Sequence, residues 1–217
     1  MRRLLLVLLP LLLAAPAAHA ETWTAPDRTG NVKSFTYSPE PQPCGTVEVV
    51  KEPDDVLTDI VDLTVQHDVD AVTVEVGMGA VKARHRFSTT INIRTPGPDF
   101  IVYVDRQEPR QDVATFLAKE AKPPKPDTCG AYGVAYLGIG CEGIAGEGIA
   151  GEADTTADVY RLTVPRACLR DPEWVRVGAA VRSIGGSAYD VWGRRKDKPK
   201  NLTVNPLSPR VAVDPAP

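Results

Sequence analysis

The chain has 217 residues, with 25 Lys and Arg against 28 Asp and Glu for a net charge of −3, and 43% of its residues are hydrophobic. No concentrated basic surface is available for phosphate contacts, which excludes a generic nucleic-acid binder. Length and hydrophobic content fit one domain with an adequate core and exclude a disordered or fibrous chain.

The first element is a leader. Met1, Arg2 and Arg3 form a basic start, Leu4 to Leu13 an apolar run broken only by Pro10, and Ala18-His19-Ala20 a small-x-small cleavage site. The run is about half the roughly 20 residues that span a bilayer, so residues 1–20 read as a cleavable signal peptide and not as an anchor. The mature chain, expected to start at Glu21, is therefore expected to be secreted and extracellular, with no membrane span. Its expected organisation is a single β-sandwich domain over 21–198 and a Pro-rich C-terminal tail or edge strand over 199–217.

Asp27-Arg28-Thr29-Gly30-Asn31 reads as a turn before a strand at Val32. The first clear two-residue alternation puts Val61, Leu63, Val65 and His67 on one face and Asp62, Thr64 and Gln66 on the other, a half-buried strand. A turn at Asp68-Val69-Asp70 leads to Val72, Val74 and Val76 on one face, completing an antiparallel hairpin that Gly77-Met78-Gly79 ends. A third strand over 84–95 alternates His85, Phe87, Thr89, Ile91 and Ile93, and Pro96-Gly97-Pro98 turns it into a strand at Phe100–Val104. Val113 to Lys119 is the expected hairpin partner of that strand, and the prolines of Lys122-Pro123-Pro124-Lys125-Pro126 stop it.

Glycine dominates from Cys129 to Ala153, where Glu142-Gly143-Ile144-Ala145-Gly146 is followed by its near copy Glu147-Gly148-Ile149-Ala150-Gly151. Five residues are too few for a solenoid repeat, so the segment reads as an expanded loop. Strands resume at Val159–Pro165, Trp174–Arg182 and Ala188–Trp192, with a last candidate near Arg210–Val213. The basic cluster of Arg194, Arg195, Lys196, Lys198 and Lys200 is interleaved with Asp197 and Pro199 and reads as a solvated linker. Short alternating runs parted by Gly, Pro and Asp, with no helical pattern of useful length, indicate an all-β antiparallel sandwich.

Cys44, Cys129, Cys141 and Cys168 all lie in the exported part, where an even count is most simply two disulfides with three pairings open. Their gaps are too wide for the close pairs of a zinc site. Each bridge would add roughly 3 to 4 kcal/mol in the chain-entropy model.

No catalytic residue is assigned. The mature histidines, His67 and His85, read as strand residues, and no serine or cysteine sits in a nucleophile motif. Asp54, Asp55, Asp59 and Asp62 are dense enough to raise a carboxylate-dependent glycoside hydrolase as the alternative activity, although acids at a strand entry are commonly solvated. Asp27, Asn31 and Asp59 could supply oxygen ligands to calcium, the one metal considered, against the simpler reading of an Asp/Gly turn. Trp23, Trp174 and Trp192 show no clustering along the chain of the kind a sugar platform needs.

Three segments carry a resemblance. Asp27-Arg28-Thr29-Gly30-Asn31-Val32, the Asp59-Ile60 start of the first long strand, and Val164-Pro165-Arg166-Ala167-Cys168-Leu169 leading to Pro172-Glu173-Trp174-Val175-Arg176-Val177 are similar to exported actinobacterial proteins of unknown function. Those proteins share a sandwich like that of DOMON domains and family 9 carbohydrate-binding modules. The resemblance implies a jelly-roll-like sandwich stapled by Cys141–Cys168 and Cys44–Cys129. It also implies a glycan or cell-envelope component as partner, and for the haem-holding members a ligand set that only Met78 with His67 or His85 could provide. The expected function is a secreted, non-enzymatic binding or cell-envelope interaction module.

Overall fold

The computed structural model describes residues 21–40, 45–108, 113–120, 136–138, 141, 148–193 and 206–213. The expected leader, Cys44, Cys129, most of the glycine-rich copy and the basic cluster lie outside these residues. The chain is all-β, with a single short 3-10 turn at Arg166–Leu169 among the described residues. Its strands are β1 (Glu21–Pro26), β2 (Lys33–Ser38), β3 (Thr46–Lys51), β4 (Ile60–His67), β5 (Ala71–Met78), β6 (Phe87–Arg94), β7 (Phe100–Arg106) and β8 (Ala114–Glu120). They continue with β9 (Tyr136–Gly138), β10 (Ala150–Asp154), β11 (Val159–Pro165), β12 (Trp174–Ser183), β13 (Ala188–Val191) and β14 (Val211–Ala212).

Two antiparallel sheets form. The smaller has the order β1-β4-β5-β11-β10, and the larger runs β3-β2-β13-β12-β6-β7-β8-β9 with β14 paired to the start of β12. Inward residues of both sheets meet in one apolar core, from Leu63, Val65, Val72, Val74 and Leu162 on one side to Phe87, Ile91, Val102 and Val177 on the other. Alternation is the cause: with side chains pointing to opposite faces at every step, each strand delivers its apolar set to one side. The expected β4–β5 hairpin, the β6–β7–β8 meander and strands β11 to β13 are all present, but β6 begins at Phe87 and not at Arg84, so His85, whose N–H donates to Lys82 O, lies in the preceding turn and is not a strand residue.

The differences have local reasons. A bulge between Ile60 and Asp62 shifts the register of β4, so Ile60, not Val61, is the fully buried residue that precedes Leu63. Met78 is not a turn residue; it ends β5, opposite Ile60, and is buried in the core. The expected loop expansion gives way at Ala150, where the second glycine-rich copy enters β10 and pairs with β11. β1 and β3 pass unnoticed in the sequence because their residues are exposed or only half-buried and show little apolar contrast.

Residues 206–213 belong to the body. Ser208 donates to Pro209 O and accepts from Val177 N, the fully buried His67 meets Val211 O through Nδ1 at 3.0 Å, and Glu21 accepts from Ala212 N. Arg210 lies 4.4 Å over the Trp174 ring. Of the two expected pairings, Cys141–Cys168 is present with Cα atoms 5.4 Å apart, whereas Cys44 and Cys129 fall outside the described residues. One disulfide, not two, is therefore seen.

Candidate functional site

The outward faces of the two sheets differ sharply in chemistry. Across the smaller sheet one row of directly opposed residues reads Thr24, Thr64, Glu75, Arg161, Glu152. The threonine hydroxyls pair at 3.0 Å, and Arg161 bridges Glu75 at 2.7 Å and Glu152 at 2.9 Å. Polar groups there satisfy one another, as on an ordinary solvated face.

Across the larger sheet the corresponding row is Phe116, Tyr103, Thr90, Ala180, Val191, and beside it runs Ala114, Asp105, Ser88, Arg182, Tyr189, Lys33. The small side chains of Ser88, Thr90 and Ala180 make the floor, because β6 and β12 present nothing bulky outward at these positions. Tyr103, close to Phe116 with ring centroids 6.3 Å apart, makes one wall. Tyr189, only 7% exposed beneath Phe35 and edge-on to it at 5.3 Å, makes the base of the other, with the half-buried Phe35 above it. The result is a trough of about 310 Å³ lined by Phe35, Tyr103, Tyr189, Thr90, Ser88 and Arg182. With strands about 4.8 Å apart, three spacings separate the walls on β7 and β13 by roughly 14 Å.

Its polar equipment is compact. Arg182 on β12 is exposed, and two strands away, beyond Ser88 at the margin of the trough, Asp105 on β7 is half-buried, with a carboxyl that burial pushes above its usual value while hydrogen bonds to Ser88 and Gln107 and the Arg182 charge pull it down. Aromatic faces, hydroxyls, a guanidinium and a carboxylate on a rigid concave sheet suit a ligand with apolar ring faces and many hydroxyl edges.

The residues singled out from the sequence lie elsewhere. Asp27, Asn31 and Asp59 are brought together at the end of the sandwich where β1, β4 and β13 meet, and Asp190, which the sequence did not single out, joins them. Gly30 N donates to both Asp59 oxygens at 3.0 Å, Ile60 N and Val191 N donate to Asp190 at 2.9 and 2.7 Å, and Gly193 N donates to Asp27 Oδ1 at 3.1 Å. Asp27 Oδ2 and Asn31 Oδ1 are buried without a hydrogen-bond partner. Burial raises the Asp27 carboxyl, and pushes Asp190 up to about 7 with Asp27 and Asp59 adding repulsion. Among the described residues no three His, Cys, Asp or Glu side chains are placed to hold a metal ion. The chief work of these carboxylates is to tie the Asp27–Asn31 turn, the entry of β4 and the end of β13 together through backbone N–H groups.

The four acids of the hydrolase alternative are engaged separately. Asp54 is exposed, Asp55 caps Leu57 N and Thr58 in its own turn, Asp59 is held by Gly30, and Asp62 sits on β4 near Glu75, which with burial raises its carboxyl. Of the residues named for a haem ligand set, Met78 is a core residue, His67 meets Val211 O through Nδ1, and His85 lies in the turn before β6. Trp23 and Trp192 do meet, edge-on at 5.4 Å, but Trp192 belongs to the inner core between the sheets and Trp23 packs against it. The aromatic surface is built from tyrosine and phenylalanine instead. Its signal was an aromatic residue at an outward position of a strand, as with Tyr103 between the inward Val102 and Val104. Comparison of the chain with protein-family models, with curated proteins and with solved structures returns no match.

Proposed function

We propose that the chain is a secreted, non-enzymatic binding module, a jelly-roll-like sandwich that holds a glycan of the cell envelope or extracellular matrix across the outer face of its larger sheet. The observation that supports this is the juxtaposition of Tyr103 and Phe116 with Tyr189 and Phe35 across a floor of Ser88, Thr90 and Ala180. Aromatic rings cover the apolar faces of sugar rings, while Arg182, Asp105 and the hydroxyls offer donors and acceptors at the edges. The resemblance to DOMON domains and family 9 carbohydrate-binding modules, the signal peptide over 1–20 and a second bridge, Cys44–Cys129, belong to the same proposal.

The test is calorimetric titration of the mature chain, residues 21–217, with a panel of cell-wall and plant glycans, repeated with Tyr103→Ala and Tyr189→Ala. At least one glycan should bind, and each substitution should weaken it about tenfold or more, as for an aromatic anchor in a binding site. Absence of binding across the panel, or binding unaffected by both substitutions, refutes the proposal. Hydrolysis of a panel glycan by the chain would favour the carboxylate-dependent hydrolase instead.

A further inference from the structure

We infer that the free edge of β3 is a dimerisation strand, through which two copies of the chain pair antiparallel about Val49 and extend the larger sheet across a two-fold axis. β3 closes one end of that sheet: β2 occupies one side, and the other side is unpaired among the described residues. All six of its residues are exposed, and Val47, Val49 and Val50 are 51%, 37% and 47% exposed. An exposed apolar edge of this length is a template for another strand.

The hydrogen-bond parity identifies which groups are offered. Glu52 N donates to Val32 O at 2.8 Å, one step beyond the Lys33–Lys51 pair. Along an antiparallel strand successive residues direct their N–H and C=O to opposite sides. Thr46, Glu48 and Val50 therefore bond to β2, while Val47, Val49 and Lys51 carry N–H and C=O groups to the open edge. Phe35 N, donating to Ser187 O on the far side of β2, keeps the same parity.

Charge selects the register. A two-fold axis normal to the sheet opposes residues of like parity and so passes at a residue, and the greatest overlap of the six residues of β3 places it at Glu48 or at Val49. Centred on Glu48, the pairing sets two glutamates directly opposite one another, which is destabilising. Centred on Val49, it sets Val49 against Val49, Val47 against Lys51 and Glu48 against Val50, with no like charges opposed. Val47, Val49 and Lys51 then form three directly opposed pairs, each exchanging both of its bonds. The Lys51 stem lies over Val47 while its ammonium stays in water. This self-match favours a second copy over a foreign strand, and a closed two-fold contact uses the edge once, so association ends at the dimer.

An apolar strip continues behind the edge. Tyr37, 60% exposed, is opposite Val47, and Phe35 is opposite Val49. In the extended sheet the two strips lie on one face, three strand spacings or roughly 14 Å apart, with the Val47 and Val49 side chains of both copies between them. None of this depends on what the trough binds.

Sedimentation velocity of residues 21–217 over the micromolar range tests the inference, with Val49→Pro and Val49→Lys as variants. Proline removes only an N–H that β2 does not use, so the monomer keeps its fold while the edge is blocked. Lysine keeps the N–H but opposes two ammonium groups on the axis. The wild type should sediment as a dimer, and each variant should dimerise at least about tenfold more weakly with an unchanged circular dichroism spectrum. A wild type that stays monomeric at the highest concentration, or a dimer that survives both substitutions, overturns it. Should Val49→Pro not fold, Val49→Lys decides alone.

Discussion

Asp190 offers the sharpest test of how the sandwich is held together. Its side chain is 3% exposed, takes backbone N–H groups from Ile60 and Val191, and burial lifts its pKa from 3.8 to about 7. Above pH 3.8 the unfolded chain releases this proton while the folded chain keeps it until pH approaches 7, so stability falls as pH rises through that window. From about pH 5 to about pH 8 the loss from this one group is roughly 2.5 kcal/mol. His67 and His85, both lowered chiefly by burial, act in the other direction, since stability from a neutral buried histidine is lost as pH falls through 6.5. The measurement is therefore a difference: urea denaturation of wild type and Asp190→Asn at several pH values between these limits. Asparagine accepts one of the two N–H groups and strands the other, a pH-independent cost of about 1 to 3 kcal/mol. Relative to wild type the variant should gain roughly 2.5 kcal/mol between about pH 5 and about pH 8. A difference that does not change with pH refutes the assignment of a buried, protonated Asp190.

Further outcomes follow from the core, the bridge and the acid cluster. Phe87, fully buried, stacked on Tyr160 at 4.0 Å and under the Arg106 guanidinium at 5.5 Å, should cost about 3 to 5 kcal/mol when cut to alanine, read by the same denaturation assay. Cys141→Ser with Cys168→Ser opens a loop with a sequence separation of 27 and should lower stability by about 3.5 kcal/mol, read by the same denaturation assay without reductant. Because Asp59, Asp190 and one Asp27 oxygen are already engaged by backbone N–H groups, millimolar calcium should leave the thermal midpoint unchanged; a clear rise would mean that Asp27 Oδ2 and Asn31 Oδ1 take a cation after all.

The sequence alone determined the all-β class, the β4–β5 hairpin, the β6–β7–β8 meander and the extents of β11 to β13, because alternation and turn chemistry are local. Val72, Val74 and Val76 could be assigned to one face without knowing what covers them, and Thr95 and Asp68 make the turns that their residue types announce. Only the tertiary structure decided that the bulge at β4 exchanges Val61 for Ile60, that Met78 is core, and that Asp190 joins Asp27 and Asp59 across a separation of more than a hundred residues in the chain. The trough belongs to the same class. Phe35, Tyr103, Phe116 and Tyr189 lie on four strands, and no local pattern links them. Their meeting depends on the order of strands in the sheet, which is set by the packing of two apolar faces against each other, a global requirement that no single stretch of sequence expresses.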